Sequence, residues 1–378
     1  MSKPSKTTRW GPRWAFVAAF NIVAIVLVLG GAEIAARALA GGVQADEQLP
    51  MCRPDAATVW RYRPDVALTY HAPEFDMAIR TNGEGLRSAP FSNGASDGAS
   101  NSGGPVVLFV GDSFTFGWGV DQQRRFSEVV GRTLGDVRIV NAGHWMYAFD
   151  QQLVLLKELV ARHRPAVVVQ GFYWLHVRTL YNHREVRDRD GALVAVEAPS
   201  LRVDDTGVLR FHSDWVDDPP LGSQLAALLA RSLLNRDLRR QAATWVEYMR
   251  PGSIADAELW RRTDALIGET VAYLRGAGVA YVPFLIPTSV EVGGTTWSHV
   301  GWNGKAAPAG VDPGLPTKRL ASLFAKRGTS PIDLIPTLRA DGGAALYFPA
   351  DGHWNERGHA AAGAALATAV GYALGRPF

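Results

Sequence analysis

The sequence predicts an α/β protein with a parallel sheet covered by helices on both faces, preceded by one transmembrane helix. Between residues 105 and 375, short apolar runs alternate with longer stretches whose apolar residues recur at helical spacing. Strands that alternate with helices in this way pair in parallel, because each helix carries the chain back across the sheet. Near the amino terminus, residues 14–31 form an apolar run without a charge. Such a run is close to the roughly 20 residues that a bilayer span needs.

The strands of the sheet are predicted from unbroken apolar runs, which are typical of strands buried on both faces. These runs lie at 105–110, 137–141, 166–172 and 280–286. Helical patterns separate the runs and close the chain, at 124–134, 150–163, 256–276 and 355–374.

Two stretches, 178–250 and 287–316, are too long to be simple crossovers. The first contains two turn signals between alternating apolar residues, which predict hairpins, and then an amphipathic helical pattern over 221–249. The second is rich in glycine and proline and carries Trp297 and Trp302. Loops of this length are usually functional or disordered, so we expect a substrate lid or, for the tryptophans, small local hydrophobic clusters.

The basic tail over residues 1–13 predicts the orientation of the transmembrane helix. Its cations precede the apolar run, which places the amino terminus in the cytoplasm and the remaining chain outside the inner membrane. Residues 38–41 have the small-residue pattern of a signal-peptidase site, so cleavage before Gly41 is the alternative. Glu33 and Arg37 separate the apolar run from that site. We therefore favour an uncleaved anchor over 14–34.

The region after the anchor divides into three parts. Residues 41–91 contain scattered prolines and short alternating stretches, which predict a small β-rich segment. Residues 92–104 consist almost entirely of Ser, Asn, Gly, Ala and Asp, which is typical of a flexible linker. The α/β domain is predicted over 105–378.

A candidate catalytic triad is spread over both ends of this domain. The segment 111–120, GDSFTFGWGV, places Ser113 on a glycine-flanked turn at the carboxyl end of a strand, where open α/β sheets bind ligands. Asp351 and His353 precede the last helix. A nucleophilic serine needs a histidine to take its proton and a carboxylate to orient the imidazole. The structural alternative is that these Asp and Ser residues only turn the chain and cap helices.

These two segments resemble the first and last blocks of the GDSL/SGNH hydrolase superfamily. The resemblance covers roughly residues 105 to 375. It implies a flavodoxin-like α/β/α sandwich, ester chemistry at Ser113 and no metal. Most members space the last pair as Asp-x-x-His. The shorter pair Asp351 and His353, followed by Trp354, is similar to the branch that contains the periplasmic alginate O-acetyltransferases.

The family's second block supplies a glycine to the oxyanion hole. In the segment 140–147, VNAGHWMY, Met146 stands where this glycine is usual. We expect backbone N–H groups of Ser113 and of the loop from Gly143 to Met146 to stabilise the oxyanion. His144 is a candidate donor or substrate contact, or only a hydrogen-bonded loop residue.

The third block usually supplies an asparagine donor. In the segment 168–176, VVQGFYWLH, the usual Asn-Asp pair is replaced by Leu175 and His176. Loss of one oxyanion donor typically costs a factor of about 10²–10³ in turnover. His176 is therefore the second candidate for a substitute donor.

Other classes of site are not predicted. The remaining histidines show no metal-ligand spacing, so we expect neither a metal nor a cofactor, and His359 is expected to face solvent or pack locally. The net charge of +3 comes from scattered basic residues without a basic run, which argues against a nucleic-acid partner. Cys52 is the only cysteine, so no internal disulfide can form.

The leading hypothesis is a membrane-anchored extracytoplasmic serine esterase that acts on acyl groups, in particular acetyl groups, of carbohydrate. The carbohydrate assignment follows from the resemblance and the predicted export, because no sugar-binding residue is evident. The alternatives are an O-acetyltransferase of an exported polysaccharide, a catalytically impaired SGNH-fold envelope binding protein, and lipolysis at the membrane. Protein partners and oligomeric state stay open.

Overall fold

A computed structural model describes most of the chain as two compact units. The described residues are 12–40, 50–88, 104–180, 183–199, 201–203, 208–211, five residues between 222 and 229, 246–253, 257–297, 302–303 and 309–376. The first unit comprises Met1–Gln48 with His212–Arg239, and the second comprises Leu49–Phe211 with Arg240–Phe378. The linker predicted at 92–104, apart from Gly104, lies outside the described residues, as do Gly41 and most of the helical stretch predicted at 221–249.

The first unit contains helix α1, Pro12–Ala40. The 22 residues Phe16–Arg37 are long and apolar enough to cross a membrane, a property that a signal sequence shares. Near its carboxyl end, Glu33 pairs with Arg37 at 2.9 Å and accepts a hydrogen bond from Ser223 Oγ at 2.8 Å. The predicted anchor at 14–34 lies within this helix.

The second unit is built on a five-stranded parallel sheet. Its strands are β5 Val106–Gly111, β6 Arg138–Gly143, β7 Val167–Tyr173, β12 Ala280–Ile286 and β15 Ile332–Asp333. The spatial order is β6-β5-β7-β12-β15. Numbered along the chain, this is the order 2-1-3-4-5 of flavodoxin-like folds, so the predicted fold class is confirmed.

Among the described residues, seven helices of four to twenty residues connect or flank these strands. They are α2 Ser113–Phe116, α3 Phe126–Leu134, α4 Phe149–His163, α5 His176–Thr179, α6 Ala257–Gly276, α7 Leu315–Ala325 and α8 Ile335–Asp341, and α9 Glu356–Ala373 closes the chain. The strand and helix patterns read from the sequence agree with the observed bounds within two residues. The sequence patterns missed α7, and they also missed β15 and α8, because a strand of two residues and a helix of seven give no measurable periodicity.

The sheet is buried on both faces, as its apolar strands predict. In β5, Val107 and Phe109 belong to the hydrophobic cluster on one face. Leu108 and Val110, which alternate with them, belong to the cluster on the other face. Because successive side chains of a strand point to opposite faces, one apolar run serves two cores.

The described part of the predicted segment 41–91 forms two hairpins, which share the second of these cores. The hairpins are β1 Cys52–Asp55 with β2 Val59–Tyr62, and β3 Ala67–His71 with β4 Asp76–Arg80. Trp60, Tyr62 and Met77 are fully buried in the same cluster as Leu108 of the sheet. This segment therefore packs as part of the α/β unit.

The long insertions contain further short strands. The predicted hairpins of the first insertion are present as β8 Arg184–Arg187 with β9 Leu193–Glu197, and β10 Leu201–Val203 with β11 Leu209–Phe211. In the second insertion, β13 Thr296–Trp297 pairs with β14 Trp302–Asn303.

Arg87 fixes the amino-terminal hairpins to the chain that follows β5. Its guanidinium is buried and donates to four backbone carbonyls. The acceptors are Phe116 O at 3.1 Å, Gly117 O at 2.8 Å, Ala78 O at 2.8 Å and Val120 O at 2.7 Å. A single side chain therefore joins a carbonyl of β4 to three carbonyls of the chain that follows Ser113.

We expect Arg87→Ala to lower the free energy of unfolding by about 3 kcal/mol or more, because it leaves several buried carbonyls without a charged donor. Arg80→Ala, on the exposed side of β4, is the matched control and should change stability by less than about 0.5 kcal/mol. Urea unfolding of the full chain in detergent, followed by tryptophan fluorescence, measures both. Equal losses in the two variants would contradict the assignment.

Candidate active site

Ser113 lies on a tight turn at the carboxyl end of the central strand β5. Asp112 caps helix α2, since its Oδ1 accepts a hydrogen bond from the Phe114 N–H at 2.9 Å. A Cβ atom on Gly111 would lie 2.1 Å from Thr115 Oγ1, so only glycine fits where the strand enters the turn. The capping function belongs to Asp112, which leaves the Ser113 hydroxyl available for another partner.

The structure brings Ser113, His353 and Asp351 together in one hydrogen-bonded line. Ser113 Oγ lies 2.7 Å from His353 Nε2, and His353 Nδ1 lies 2.6 Å from Asp351 Oδ1. A carboxylate only accepts, so Nδ1 carries the proton in this arrangement and Nε2 presents its lone pair to the serine hydroxyl. This is the tautomer that a general base for Ser113 requires.

The Asp351 carboxylate is held at both oxygens. Oδ1 also accepts the backbone N–H of His353 at 3.1 Å, and Oδ2 accepts Trp118 Nε1–H at 3.2 Å. The loop itself is closed by the Phe348 N–H, which donates to His353 O at 2.8 Å. The spacing Asp-x-His therefore still allows the carboxylate to face the imidazole.

The backbone amides of Ser113 and Met146 have no acceptor among the described residues. The other amides of the loop after β6 already donate within the protein: Gly143 to Asn141 Oδ1 at 3.0 Å, His144 to Gly111 O at 3.0 Å and Trp145 to Tyr62 Oη at 2.7 Å. Of the loop from Gly143 to Met146, only the Met146 N–H is thus available to an oxyanion.

Met146 has the backbone conformation of a glycine. Its φ of 61° lies in the left-handed region, which residues with a Cβ atom adopt at a cost of about 1–2 kcal/mol. Methionine stands here where the resemblance led us to expect glycine, and the backbone has the torsion angle that favours glycine. The side chain leaves the amide of this residue unchanged.

Gly143 has a structural role rather than the expected role as an oxyanion donor. A Cβ atom there would lie 2.1 Å from Phe116 N, inside the helical turn that begins at Ser113. The neighbouring Asn141 donates to Thr115 O at 2.7 Å and to Ser127 Oγ at 2.9 Å. The end of β6 therefore packs directly against helix α2.

His144 is also placed differently from the expectation of a donor or substrate contact. Its ring is 1% exposed and stacks between Tyr62 and Tyr147, with ring centroids at 4.6 and 4.4 Å. Nδ1 lies 3.1 Å from Ala142 O, and burial lowers the pKa of the imidazole to about 3. His144 is therefore a neutral packing residue.

His176 contacts Asp112, in the turn that carries Ser113. It does not stand in for the asparagine donor that the resemblance led us to expect. Its Nε2 lies 2.9 Å from Asp112 Oδ2, and Thr179 Oγ1 lies 3.4 Å from Nδ1. The neighbouring Leu175 is buried and offers no polar side-chain atom. His176 thus holds the residue before Ser113, a connection that the sequence spacing did not indicate.

Five aromatic side chains extend from the triad, and we call them the aromatic wall. They are Tyr70, Phe75, Trp118, Trp145 and Phe348. Trp118 lies 6.3 Å from His353, stacks on Trp145 at 5.9 Å and contacts Tyr70 at 4.8 Å between ring centroids. Phe75 contacts Phe348 at 4.9 Å. Sequence reasoning missed this wall, because it joins hairpin, loop and turn residues far apart in the chain.

The other sites considered from the sequence lie elsewhere. The backbones of Trp297 and Trp302 are paired in register between β13 and β14. His359 is fully buried, which corrects the alternative that it faces solvent; it accepts from the Phe126 N–H at 3.3 Å, and burial lowers its pKa to about 3. Within the described part of the chain, no group of three or more His, Cys, Asp or Glu residues is placed to hold a metal ion.

No family model and no curated protein matches the sequence. Solved structures do show similarity. They include the psychrotrophic esterase EstA from Pseudoalteromonas sp., with 9% identity over 72% of this chain and 100% of that chain and a TM-score of 0.35. The lipase/acylhydrolase from Enterococcus faecalis has 14% identity over 70% and 95%, with a TM-score of 0.36. A member of the lipolytic protein G-D-S-L family from Veillonella parvula has 12% identity over 68% and 93%, with a TM-score of 0.34.

The first prediction at this site concerns Met146. Met146→Gly and Met146→Ala both keep the amide, so each should retain ester hydrolysis within about threefold, whereas loss of an oxyanion donor costs about 10²–10³. The glycine variant should be more stable than the alanine variant by about 1 kcal/mol, because φ is positive there. Initial rates and urea unfolding check both expectations. More than tenfold loss of rate in both variants would assign a role to the side chain instead.

The second prediction is a pH dependence of stability. In the folded protein the pKa of His144 lies below its ordinary value of 6.5. Its contribution to the free energy of unfolding is therefore complete above pH 6.5 and is lost as the pH falls toward 3. Between pH 7 and pH 5 this loss is about 2 kcal/mol. His144→Phe keeps the ring stacking and should reduce the fall in unfolding free energy by that amount.

His71→Phe is the control for this measurement, because the His71 side chain is 73% exposed. Urea unfolding at pH 7 and pH 5 should give the same pH dependence for this variant as for the unaltered protein. An identical dependence in His144→Phe would show that burial of His144 does not control acid stability.

Proposed function

We propose that this chain is a serine esterase of the SGNH type. One observation carries the proposal, the line of contacts from Ser113 Oγ to His353 Nε2 at 2.7 Å and from His353 Nδ1 to Asp351 Oδ1 at 2.6 Å. Helix capping explains Asp112 and Asn355, whose side chains accept amide hydrogens. Helix capping does not explain why Nε2 of His353, 240 residues away in the chain, lies within hydrogen-bond distance of the Ser113 hydroxyl.

In the proposed reaction, Ser113 Oγ attacks the carbonyl carbon of an ester while His353 Nε2 takes its proton. Asp351 keeps the imidazole in position and stabilises the imidazolium that forms. The amides of Ser113 and Met146 donate to the oxyanion. When the intermediate collapses, His353 gives the proton to the departing alcohol, and an acyl-serine is left. Water, activated by His353, then releases the acid and restores the serine.

We further infer that the substrate is an acylated, in particular an acetylated, carbohydrate. The partly exposed members of the aromatic wall, Tyr70, Phe75, Trp145 and Phe348, support this inference, because flat aromatic faces suit stacking against sugar rings. Transfer to a second alcohol uses the same acyl-serine, and exclusion of water decides between the two outcomes. The Asp-x-His spacing favours O-acetyl transfer as the second candidate function. A catalytically impaired binding protein would keep the fold without using Ser113.

We also propose that α1 holds the protein in the inner membrane, with the catalytic unit on the extracytoplasmic side. The exposed apolar side chains of α1 and the basic residues before it support this orientation. Retention of residues 1–40 in the mature protein distinguishes the anchor from a cleaved signal sequence.

The test uses membranes from cells that express the full chain, treated with a fluorophosphonate probe and with p-nitrophenyl acetate. We expect the label on Ser113, in the membrane fraction, at the mass of the uncleaved chain. Ser113→Ala should abolish labelling and lower hydrolysis by about 10³-fold or more. Ser322→Ala, an exposed serine on α7, is the control and should remain labelled.

Unchanged hydrolysis in Ser113→Ala, or no label in the unaltered chain, would overturn the esterase assignment. A labelled soluble protein that begins at Gly41 would overturn the anchor alone. If acetylated xylan is deacetylated faster than long-chain p-nitrophenyl esters are hydrolysed, the result would support the carbohydrate substrate. The reverse preference would indicate lipolysis.

A further inference from the structure

The β3–β4 hairpin reaches the loop that carries Asp351 and His353. Glu74 lies in the hairpin turn, and its carboxylate accepts two successive backbone N–H groups of that loop. The Ala350 N–H lies 3.0 Å from each carboxylate oxygen, and the Asp351 N–H lies 2.6 Å from Oε2. Bonds from amides to a charged carboxylate are shorter and stronger than bonds between neutral groups.

These two amides lie at the tip of the loop. Its base is closed by the Phe348 N–H bonded to His353 O at 2.8 Å and by the Gly352 N–H bonded to Phe348 O at 2.9 Å. Gly352 has a φ of 86°, so the chain turns sharply between the two triad residues. A rotation of the peptide at Asp351 would therefore move its carboxylate away from the imidazole.

The residue next to Glu74 forms a second contact with the same loop. The Phe75 ring lies 4.9 Å from the Phe348 ring and 6.3 Å from the Trp118 ring. Trp118 in turn donates to Asp351 Oδ2. The hairpin turn thus fixes the loop through its backbone amides, and fixes the indole that orients the carboxylate.

We propose that Glu74 is a positioning residue of the active site, which sets the orientation of Asp351 and, through it, of His353. This proposal rests on the esterase function proposed above. Glu74 bonds to backbone amides and not to Ser113 or to the imidazole, so it takes no part in proton transfer. Its effect is on the geometry of the base, and it should alter the rate of acylation without altering substrate binding.

The test compares Glu74→Ala and Glu74→Gln in the full chain in detergent. Loss of two charge-assisted hydrogen bonds should lower kcat about tenfold to one-hundredfold in Glu74→Ala, with KM within about twofold. Glutamine can place its carbonyl oxygen at the Oε2 position, so Glu74→Gln should recover most of that loss. Asp76→Ala removes an exposed carboxylate from the same hairpin and should leave kcat unchanged.

Two further measurements separate positioning from loss of fold and from failure of the esterase assignment. Thermal unfolding should show Glu74→Ala folded at the assay temperature. The downfield proton resonance of His353 Nδ1–H, assigned by its absence in His353→Ala, should be lost or shifted upfield in Glu74→Ala and kept in Asp76→Ala. This resonance reports the contact with Asp351 whether or not the protein hydrolyses esters.

A kcat within twofold of the unaltered chain together with an unchanged resonance in Glu74→Ala would overturn the proposal. A parallel loss of kcat in Glu74→Ala and Glu74→Gln, with the resonance intact, would also overturn it. Absence of esterase activity in the unaltered chain would refute the proposed function instead, and the resonance would then decide the role of Glu74 by itself.

Discussion

The site depends on how closely the turn after β5 approaches the end of β6. Gly143 lies so near the Phe116 amide that no side chain fits between them, and Asn141 bonds to the carbonyl of Thr115 in the same turn. This contact fixes the first helical turn after Ser113 against the loop that ends in Met146. Ser113 and Met146, the proposed nucleophile and oxyanion donor, follow different strands, and their relative position is therefore set by backbone packing within the sheet.

Much of the fold follows from the sequence, because four of the five sheet strands are apolar runs long enough to identify. The contact between Ser113, His353 and Asp351 could also be predicted, since Ser113 follows a strand and Asp351 and His353 lie close together before a helix. The hydrogen-bond partner of each amide could not be predicted from the sequence. Whether Gly143 or Met146 has a free N–H depends on an asparagine side chain and a left-handed torsion angle, and neither leaves a periodic pattern.

The same reason explains the residues that were assigned differently or missed. His144 and His176 both follow strands, which made them candidates for the cleft, but one stacks between tyrosines and the other bonds to Asp112. Glu74 meets a loop 277 residues further along the chain. Its relation to the triad exists only because the hairpins share a core with the sheet, and tertiary packing of this kind has no local signal.

The torsion angle of Met146 has a consequence for how this protein can change over evolutionary time. In the proposed reaction, position 146 acts through its amide, so selection there would act on a backbone angle and leave the identity of the side chain open. Glycine meets that requirement without strain, and other residues meet it when the surrounding loop holds them in place. A sequence motif that requires glycine at this position would not find a chain with methionine there, although the amide occupies the same place.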